Sequence, residues 1–364
     1  MPKVALITSV TGQDGYYLAE LLSRKGYIVH SINRHSSLLK KEHFEEIYQE
    51  GDKPCPDIHI HYGDWSDMTT LSRLLDQICP DEIYNLGEAR RVITCADPAE
   101  YPNDLEGIAT LDMLEAIRRV GLEQRTRYYQ AFPSGLYGLI SRMKLSDLAS
   151  SSPLLLNIGD KCRDYWATVN YREAFGMYAC NGILFNNESP YRSDAFVTRK
   201  ITRGLANITQ GLQKCLYLGN LDAQRDWGHA RDYAKMQWMM LQQDQPEDFV
   251  IATGVRYSVR QFVTFAALEL GIKLRFEGKG VSERGIVSAI ISPNAAALKV
   301  GDVIVAVDPR FIRHEEESKM AADPTKARKK LGWIPETSLQ DLVIEMVQAD
   351  LVAAKQRARL EMHS

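Results

Sequence analysis

The sequence predicts an α/β protein: a doubly wound parallel sheet with a smaller mixed α/β C-terminal lobe. Three observations predict it. Short, nearly continuous apolar runs recur through the first half and read as strands buried on both faces. Amphipathic stretches of helical period separate them, the pattern of a parallel sheet covered by helices. A glycine-containing turn, Ser9-Val-Thr-Gly12-Gln-Asp-Gly15, joins the first apolar run to the first helical stretch, where such folds bind ligands.

The elements follow in order. Residues 4–8, 27–32, 58–62, 82–86 and 127–131 are strands, and residues 17–25, 66–78 and 104–120 are helices. Residues 165–173 read as a long helix, preceded by Asn157-Ile-Gly-Asp-Lys161. In the second half, 196–210 and 231–242 are helical and 249–252 is a strand. Ser258-x-x-Gln261 is a capping box opening a helix that runs through Leu270. Asp323-Pro324 supplies an N-cap and a first-turn proline for a short helix, with Gly332 as its C-cap. Within 338–355, Leu339, Leu342, Val343, Met346 and Val347 recur at helical spacing and mark a helix docked on the core. The Gly301-Asp-Val-Ile-Val-Ala-Val stretch reads as core.

The 364 residues are enough for one large or two moderate domains. A content of 45% hydrophobic and 25% charged residues is that of a soluble globular protein. A net charge of −3 gives no electrostatic reason to expect nucleic acid or an anionic membrane as partner. No apolar run approaches the ~20 residues of a membrane span, and the N-terminal residues lack a signal peptide's long apolar stretch. The six cysteines are scattered without a C-x-x-C pair and read as free thiols in a reducing cytoplasm. His59 and His61 share one face of a strand, but no further ligand cluster accompanies them, so no metal is expected.

The turn at 9–15 is placed for a dinucleotide pyrophosphate, which backbone N–H groups and the helix dipole favour. The expected pattern is G-x-x-G-x-x-G, and its first position here is Ser9. A serine serves there only if the backbone needs no positive φ and no phosphate must approach its Cβ; the competing reading is an ordinary strand–helix turn. The second strand leads to Arg34, which either accommodates the 2′-phosphate of NADP or is a solvated surface arginine. Asp64 follows the third strand on the adenine side, and Leu86 ends the fourth on the nicotinamide side.

Several long blocks carry a family resemblance: Thr11-Gly-Gln-Asp-Gly15, residues 165–173, Met177-Tyr-Ala-Cys-Asn-Gly-Ile-Leu-Phe-Asn186, Phe196-Val-Thr-Arg-Lys-Ile201, Arg225-Asp-Trp-Gly-His229, Met236-Gln-Trp-Met-Met-Leu-Gln-Gln243 and Val307-Asp-Pro-Arg310. Through them the chain resembles the GDP-mannose 4,6-dehydratases, extended short-chain dehydrogenases of Rossmann type, almost end to end. The resemblance implies oxidation at sugar C4 by NADP⁺, loss of water across C5–C6 and return of the hydride to C6, giving GDP-4-keto-6-deoxymannose. Such chemistry needs a tyrosine base with a lysine four residues on, an orienting hydroxyl and a carboxylate for the C5 proton.

Carried over residue by residue, the catalytic positions are altered. The orienting threonine becomes Pro133, the carboxylate Gly135 and the tyrosine Asn157, while Lys161 remains. Arg90 and Arg91 replace the Ser-His pair after the fourth strand. The resemblance assigns Gly12, Gln13, Asp14, Arg34, Asp64, Leu86, Tyr101, Lys161 and Arg192 to the cofactor NADP, and Glu188, Lys200, Arg225, Arg310 and Glu316 to a GDP-sugar. It implies an NADP-binding domain over 1–186 with segments of about 225–255 returning to it, a sugar-nucleotide lobe over 187–364, a homodimer or homotetramer and a cytoplasmic setting. The expectation is therefore a dehydratase-like protein whose catalysis is impaired or lost, at most binding NADP or a GDP-sugar. The alternatives are an active dehydratase using substitute residues and a stable scaffold without ligand.

Overall fold

The computed structural model describes residues 1–33, 58–62, 67–86, 105–134, 153–295, 297–312 and 322–363. The chain forms two units. The first comprises Met1–Phe185, Ala230–Ile251 and Asp323–Ile334; the second comprises Asn186–His229, Ala252–Ala322 and Pro335–Ser364. The returning segment is thus narrower than 225–255, and a second return at 323–334 has no counterpart in the sequence reading.

The first unit is built on β1 (Val4–Thr8), β2 (Ile28–Asn33), β3 (Ile58–Tyr62), β4 (Glu82–Asn85), β5 (Arg127–Pro133), β6 (Ala179–Leu184) and β11 (Phe249–Ile251). They form one sheet in the order β3-β2-β1-β4-β5-β6-β11, every neighbouring pair parallel. Strand order reverses between β1 and β4, and that is where such a sheet opens a crevice at its carboxyl edge. Ala5, Leu6 and Ile7 are fully buried, which explains why β1 reads as an uninterrupted apolar run.

Helices α1 (Gln13–Arg24), α2 (Met68–Ile78), α3 (Leu105–Arg119) and α4 (Pro153–Phe175) connect the strands. The carboxylate of Asp67 accepts hydrogen bonds from the Thr69 and Thr70 N–H groups and so starts α2. Leu71, Leu74 and Leu75 of α2 pack with Leu6, Ile32 and Ile83 of the sheet. Helix α4 begins well before residue 165 and takes in both Asn157 and Lys161.

Strand β6 was not foreseen, because Asn181 and Gly182 interrupt its apolar run. Their burial explains them. A Cβ on Gly182 would stand 2.2 Å from the Tyr129 hydroxyl oxygen, so only glycine fits beneath that ring. The Asn181 N–H donates to Asp248 at 2.7 Å and its side-chain amide to the Tyr165 carbonyl at 3.4 Å.

Two later segments complete the unit, α6 (Ala230–Met240) and α8 (Thr325–Leu331). Pro324 itself occupies the cap of α8, one residue later than expected, while the Asp323 carboxylate accepts from the Thr325 N–H at 2.9 Å. Gly332 ends α8 in the left-handed region at φ 65°. Trp333 is buried and donates its indole N–H to the Asp232 carbonyl at 3.1 Å.

The second unit holds β7 (Asn186–Glu188), β8 (Leu216–Leu218), β9 (Gln224–Arg225), β10 (Trp227–His229), β12 (Tyr257–Ser258), β13 (Ile272–Glu277), β14 (Arg284–Ile290) and β15 (Val303–Val307). A mixed four-stranded sheet runs in the order β13-β14-β15-β8, and two short pairs, β10-β7 and β12-β9, stand apart from it. Its helices are α5 (Val197–Thr209), α7 (Val259–Glu269) and α9 (Leu339–His363). Leu205, Phe262, Val263, Val305, Leu342 and Met346 meet in one core, so the 301–307 stretch is a core strand and the apolar stripe beyond 338 docks as expected. Ser258 and Gln261 form the anticipated capping box, each accepting from the other's backbone N–H. No helix among the described residues is long and apolar enough to cross a membrane.

Candidate active site

The first βα turn is shaped by contact. Ser9 adopts φ 71°, so the backbone condition set for a serine at this position is not met and the residue sits in the left-handed region. The Ser9 N–H donates to the Ile32 carbonyl at 3.1 Å, and the Gly12 N–H closes back on the Ser9 carbonyl at 3.4 Å. A Cβ on Gly15 would lie 2.2 Å from the Ser9 carbonyl oxygen and 2.7 Å from Val10 Cα, which fixes glycine where α1 crosses the strand end. Around Gly12 the nearest atoms to such a Cβ are 3.7 Å away, leaving room beside the backbone. Gly12 is the N-cap of α1 and supplies no side-chain cap, so the helix start presents backbone N–H groups. Gln13 and Asp14 sit in the first turn, their side chains joined at 3.3 Å.

Beside the turn, a buried polar network ties the strand ends together. The Thr8 hydroxyl donates to Asn85 Oδ1 at 2.8 Å and accepts from the Leu86 N–H at 2.8 Å. The Asn85 amide nitrogen donates to the Tyr128 hydroxyl at 3.0 Å and to Gln130 Oε1 at 2.9 Å, and the Tyr128 hydroxyl donates to the same oxygen at 2.6 Å. Burial raises the pKa of Tyr128 and keeps it a neutral donor. Leu86 is thereby fixed through its backbone, and β1, β4 and β5 are held in register below the crevice.

At the end of β5, Phe132 is buried and meets the Tyr165 ring of α4 edge-on, with centroids 5.5 Å apart. Pro133 ends the strand paired in register with Leu184. Asn157 and Lys161 both lie on α4, four residues apart. Arg34, Asp64, Tyr101, Gly135, Glu316, Arg90 and Arg91 lie outside the described residues.

The second unit carries the other candidates. Glu188 ends β7 only 2% exposed, accepting from the Thr198 hydroxyl at 2.6 Å, with Arg192 Nε 3.2 Å away. The Arg192 guanidinium lies 3.5 Å over the Phe196 ring. Lys200 Nζ stands 3.4 Å from the centre of the Phe311 ring; burial lowers its pKa, and the nearby charge of Asp308 works against that. Arg310 is exposed and paired with Asp308 at 2.6 Å, so Asp308 relates Lys200 and Arg310 electrostatically. Arg225 donates to the Gln224 carbonyl at 2.7 Å on β9. The neighbouring Asp226 is buried and accepts from the Thr253 N–H, the Thr253 hydroxyl and the Gly254 N–H at 2.7–2.9 Å. Burial raises the pKa of Asp226.

Sequence reasoning missed Thr198, Phe196, Phe311, Asp308 and Asp226. All five lie inside or beside the blocks that carried the resemblance, and the Asp-Pro step at 308–309 is itself a cap signal. Among the described residues no group of three metal-binding side chains is placed to hold an ion.

The sequence profile of the family described as GDP-mannose 4,6 dehydratase matches residues 6–346. The GDP-mannose 4,6-dehydratase of Vibrio cholerae is 54% identical over 363 residues, covering 100% of this chain and 98% of that protein. That of Yersinia enterocolitica serotype O:8 is 53% identical over 359 residues, covering 99% and 96%. Among solved structures, the UDP-glucuronic acid 4-epimerase of Bacillus cereus, in complex with UDP-glucuronic acid and NAD, is 19% identical with a TM-score of 0.67, covering 97% of this chain and 99% of that one. At that identity the likeness concerns the fold alone.

Proposed function

Because the chain belongs to the GDP-mannose 4,6-dehydratase family, we propose that it binds NADP and a GDP-sugar and performs the family reaction, converting GDP-mannose to GDP-4-keto-6-deoxymannose and water. One observation carries this reading: the match spans residues 6–346, and so both units, rather than the nucleotide-binding sheet alone. The turn fits the cofactor, since Gly15 permits the close crossing of helix and strand and Gly12 leaves space for a pyrophosphate. Gly12, Gln13 and Asp14 hold the pyrophosphate end, with Arg34, Asp64, Leu86, Tyr101, Lys161 and Arg192 completing the NADP contacts. Lys200, Arg225, Arg310 and Glu316 serve the GDP-sugar, its diphosphate suited to guanidinium groups. NADP, when bound, supplies the hydride acceptor at C4 and the donor at C6.

A second reading, binding without turnover, is favoured by one feature of the sequence. Pro133, Gly135 and Asn157 occupy the positions where the family resemblance calls for threonine, glutamate and tyrosine. Losing one positioned acid–base group lowers a rate by about 10²–10⁴-fold. Purified protein incubated with GDP-mannose and NADP⁺, followed by mass spectrometry for loss of water from the sugar nucleotide, separates the two. Product supports the dehydratase; saturable calorimetric binding without product supports the second reading. Absence of both removes each of them. A cytoplasmic homodimer or homotetramer is proposed on the same family grounds, and sedimentation velocity reads the assembly.

A further inference from the structure

We propose that Glu188 is a positioning residue that holds Arg192 as a ready-made phosphate-binding guanidinium and does not itself touch a ligand. The inference rests on the nucleotide-binding reading above and deepens it for the second unit.

The turn after β7 is fixed first. Ser189 is fully buried; its carbonyl accepts from the Arg192 N–H at 3.0 Å and its hydroxyl from the Tyr191 N–H at 3.1 Å. That returns residue 192 beside the strand end, where Glu188 Oε2 faces Arg192 Nε at 3.2 Å. The Nε–H is not aimed at the carboxylate, so the contact is an ion pair rather than a hydrogen bond. The same carboxylate oxygen is anchored by the Thr198 hydroxyl at 2.6 Å, from the first turn of α5. A carboxylate this deeply buried needs a cation beside it.

Phe196 completes the cradle. Its ring lies 3.5 Å beneath the guanidinium, which packs the arginine flat and removes much of its rotamer freedom. The guanidinium is thus held at its Nε edge and on one face. No described residue pairs with its two terminal nitrogens. Two terminal N–H groups on a fixed plane are the donor pattern of a bidentate phosphate contact. A pre-set arginine gains affinity because little ordering remains to be done on binding. Glu188 is 2% exposed, with the engaged oxygen facing protein on both sides, which is poor placement for a sugar ligand.

Both expected ligands carry phosphate, and the experiment separates them. The full chain and its variants are titrated calorimetrically with NADP⁺ and, separately, with GDP-mannose. Arg192→Gln identifies which nucleotide uses the guanidinium. Glu188→Gln is then expected to weaken that same nucleotide by about tenfold, the loss typical of one charge-assisted contact. The other nucleotide keeps its affinity. Phe196→Leu leaves the ion pair intact and is expected to weaken the same nucleotide severalfold, so the test stands even if Glu188→Gln does not fold. A Glu188→Gln loss confined to the nucleotide that Arg192→Gln spares would make Glu188 a direct ligand and overturn the proposal. So would unchanged binding in both cradle variants, or a parallel loss of both nucleotides and of Tm. If the wild-type chain binds neither nucleotide, the functional reading itself fails; a binding wild type with unaffected variants sinks only this inference.

Discussion

Ser9 shows how a single residue strains a site that is otherwise well formed. Its φ of 71° belongs to the left-handed region, which costs a non-glycine residue about 1–2 kcal/mol. Ser9→Gly is expected to raise stability by up to about 1 kcal/mol, part of the gain being returned as backbone entropy of the unfolded chain. Urea denaturation reads this as a higher midpoint at unchanged slope. Gly12 and Gly15 stood out in the sequence at the spacing of a strand–helix turn, yet the strain at residue 9 did not, since backbone dihedrals leave no mark on composition. The altered catalytic positions set a sharper expectation. Restoring Pro133→Thr, Gly135→Glu and Asn157→Tyr together should raise turnover of GDP-mannose by at least about 10²-fold if proton transfer limits the wild-type protein. Unchanged turnover would show that the limitation lies elsewhere. Glu188 stood out through the resemblance, but its contact with Thr198 of α5 required the fold.

At the scale of elements, the β2–β3 pair carries a titratable feature. The rings of His30 and His61 are stacked with nitrogens 2.9 Å apart, and His59 lies 4.8 Å from His30 between centroids. Burial first, and then the neighbouring imidazoles, lowers the pKa of His30 from 6.5 to about 4. An imidazole harder to protonate folded than unfolded takes up its proton in the unfolded chain first. Stability from this group is therefore full above about 6.5 and lost as pH falls toward about 4. The urea midpoint should drop between pH 7 and pH 5, and His30→Gln should flatten that drop; an equal slope in the variant would count against the histidine pair as its source. From sequence, His59 and His61 were seen to share a face, but His30 joins them only through strand register. Strand β1 was legible because burial on both faces makes an unbroken apolar run. Strand β6 was not, because Gly182 answers to the ring of Tyr129 on the adjacent strand, a contact with no signature along the chain. Strands of two or three residues such as β9 and β10 are too short for any alternation to register.

For the whole molecule, the two-unit division depends on segments that leave one unit and return to it. Trp333 anchors the last return: 2% exposed, it bonds the Asp232 carbonyl and meets the Tyr233 ring at 6.2 Å. Lys330 and Lys326 pair with Glu247 nearby, at 2.6 and 3.1 Å. Trp333→Ala should cost about 3–5 kcal/mol through the cavity it leaves, seen as a lower Tm. Thermal shift by NADP⁺ should survive in the variant, since the 9–15 turn is left intact. The return at 323–334 was invisible in the sequence because seven residues of helix read the same in either unit.

The position of β11 at the open edge of the large sheet bears on how the protein is made. Its partner β6 is complete by residue 184, yet β11 spans 249–251. A ribosome extending the chain at roughly 5–20 residues per second leaves that edge bare for several seconds. Until the later strand emerges, the nascent polypeptide offers unpaired backbone to any neighbour, so recovery in soluble form should depend on chaperone supply and on the pace of translation through residues 185–251.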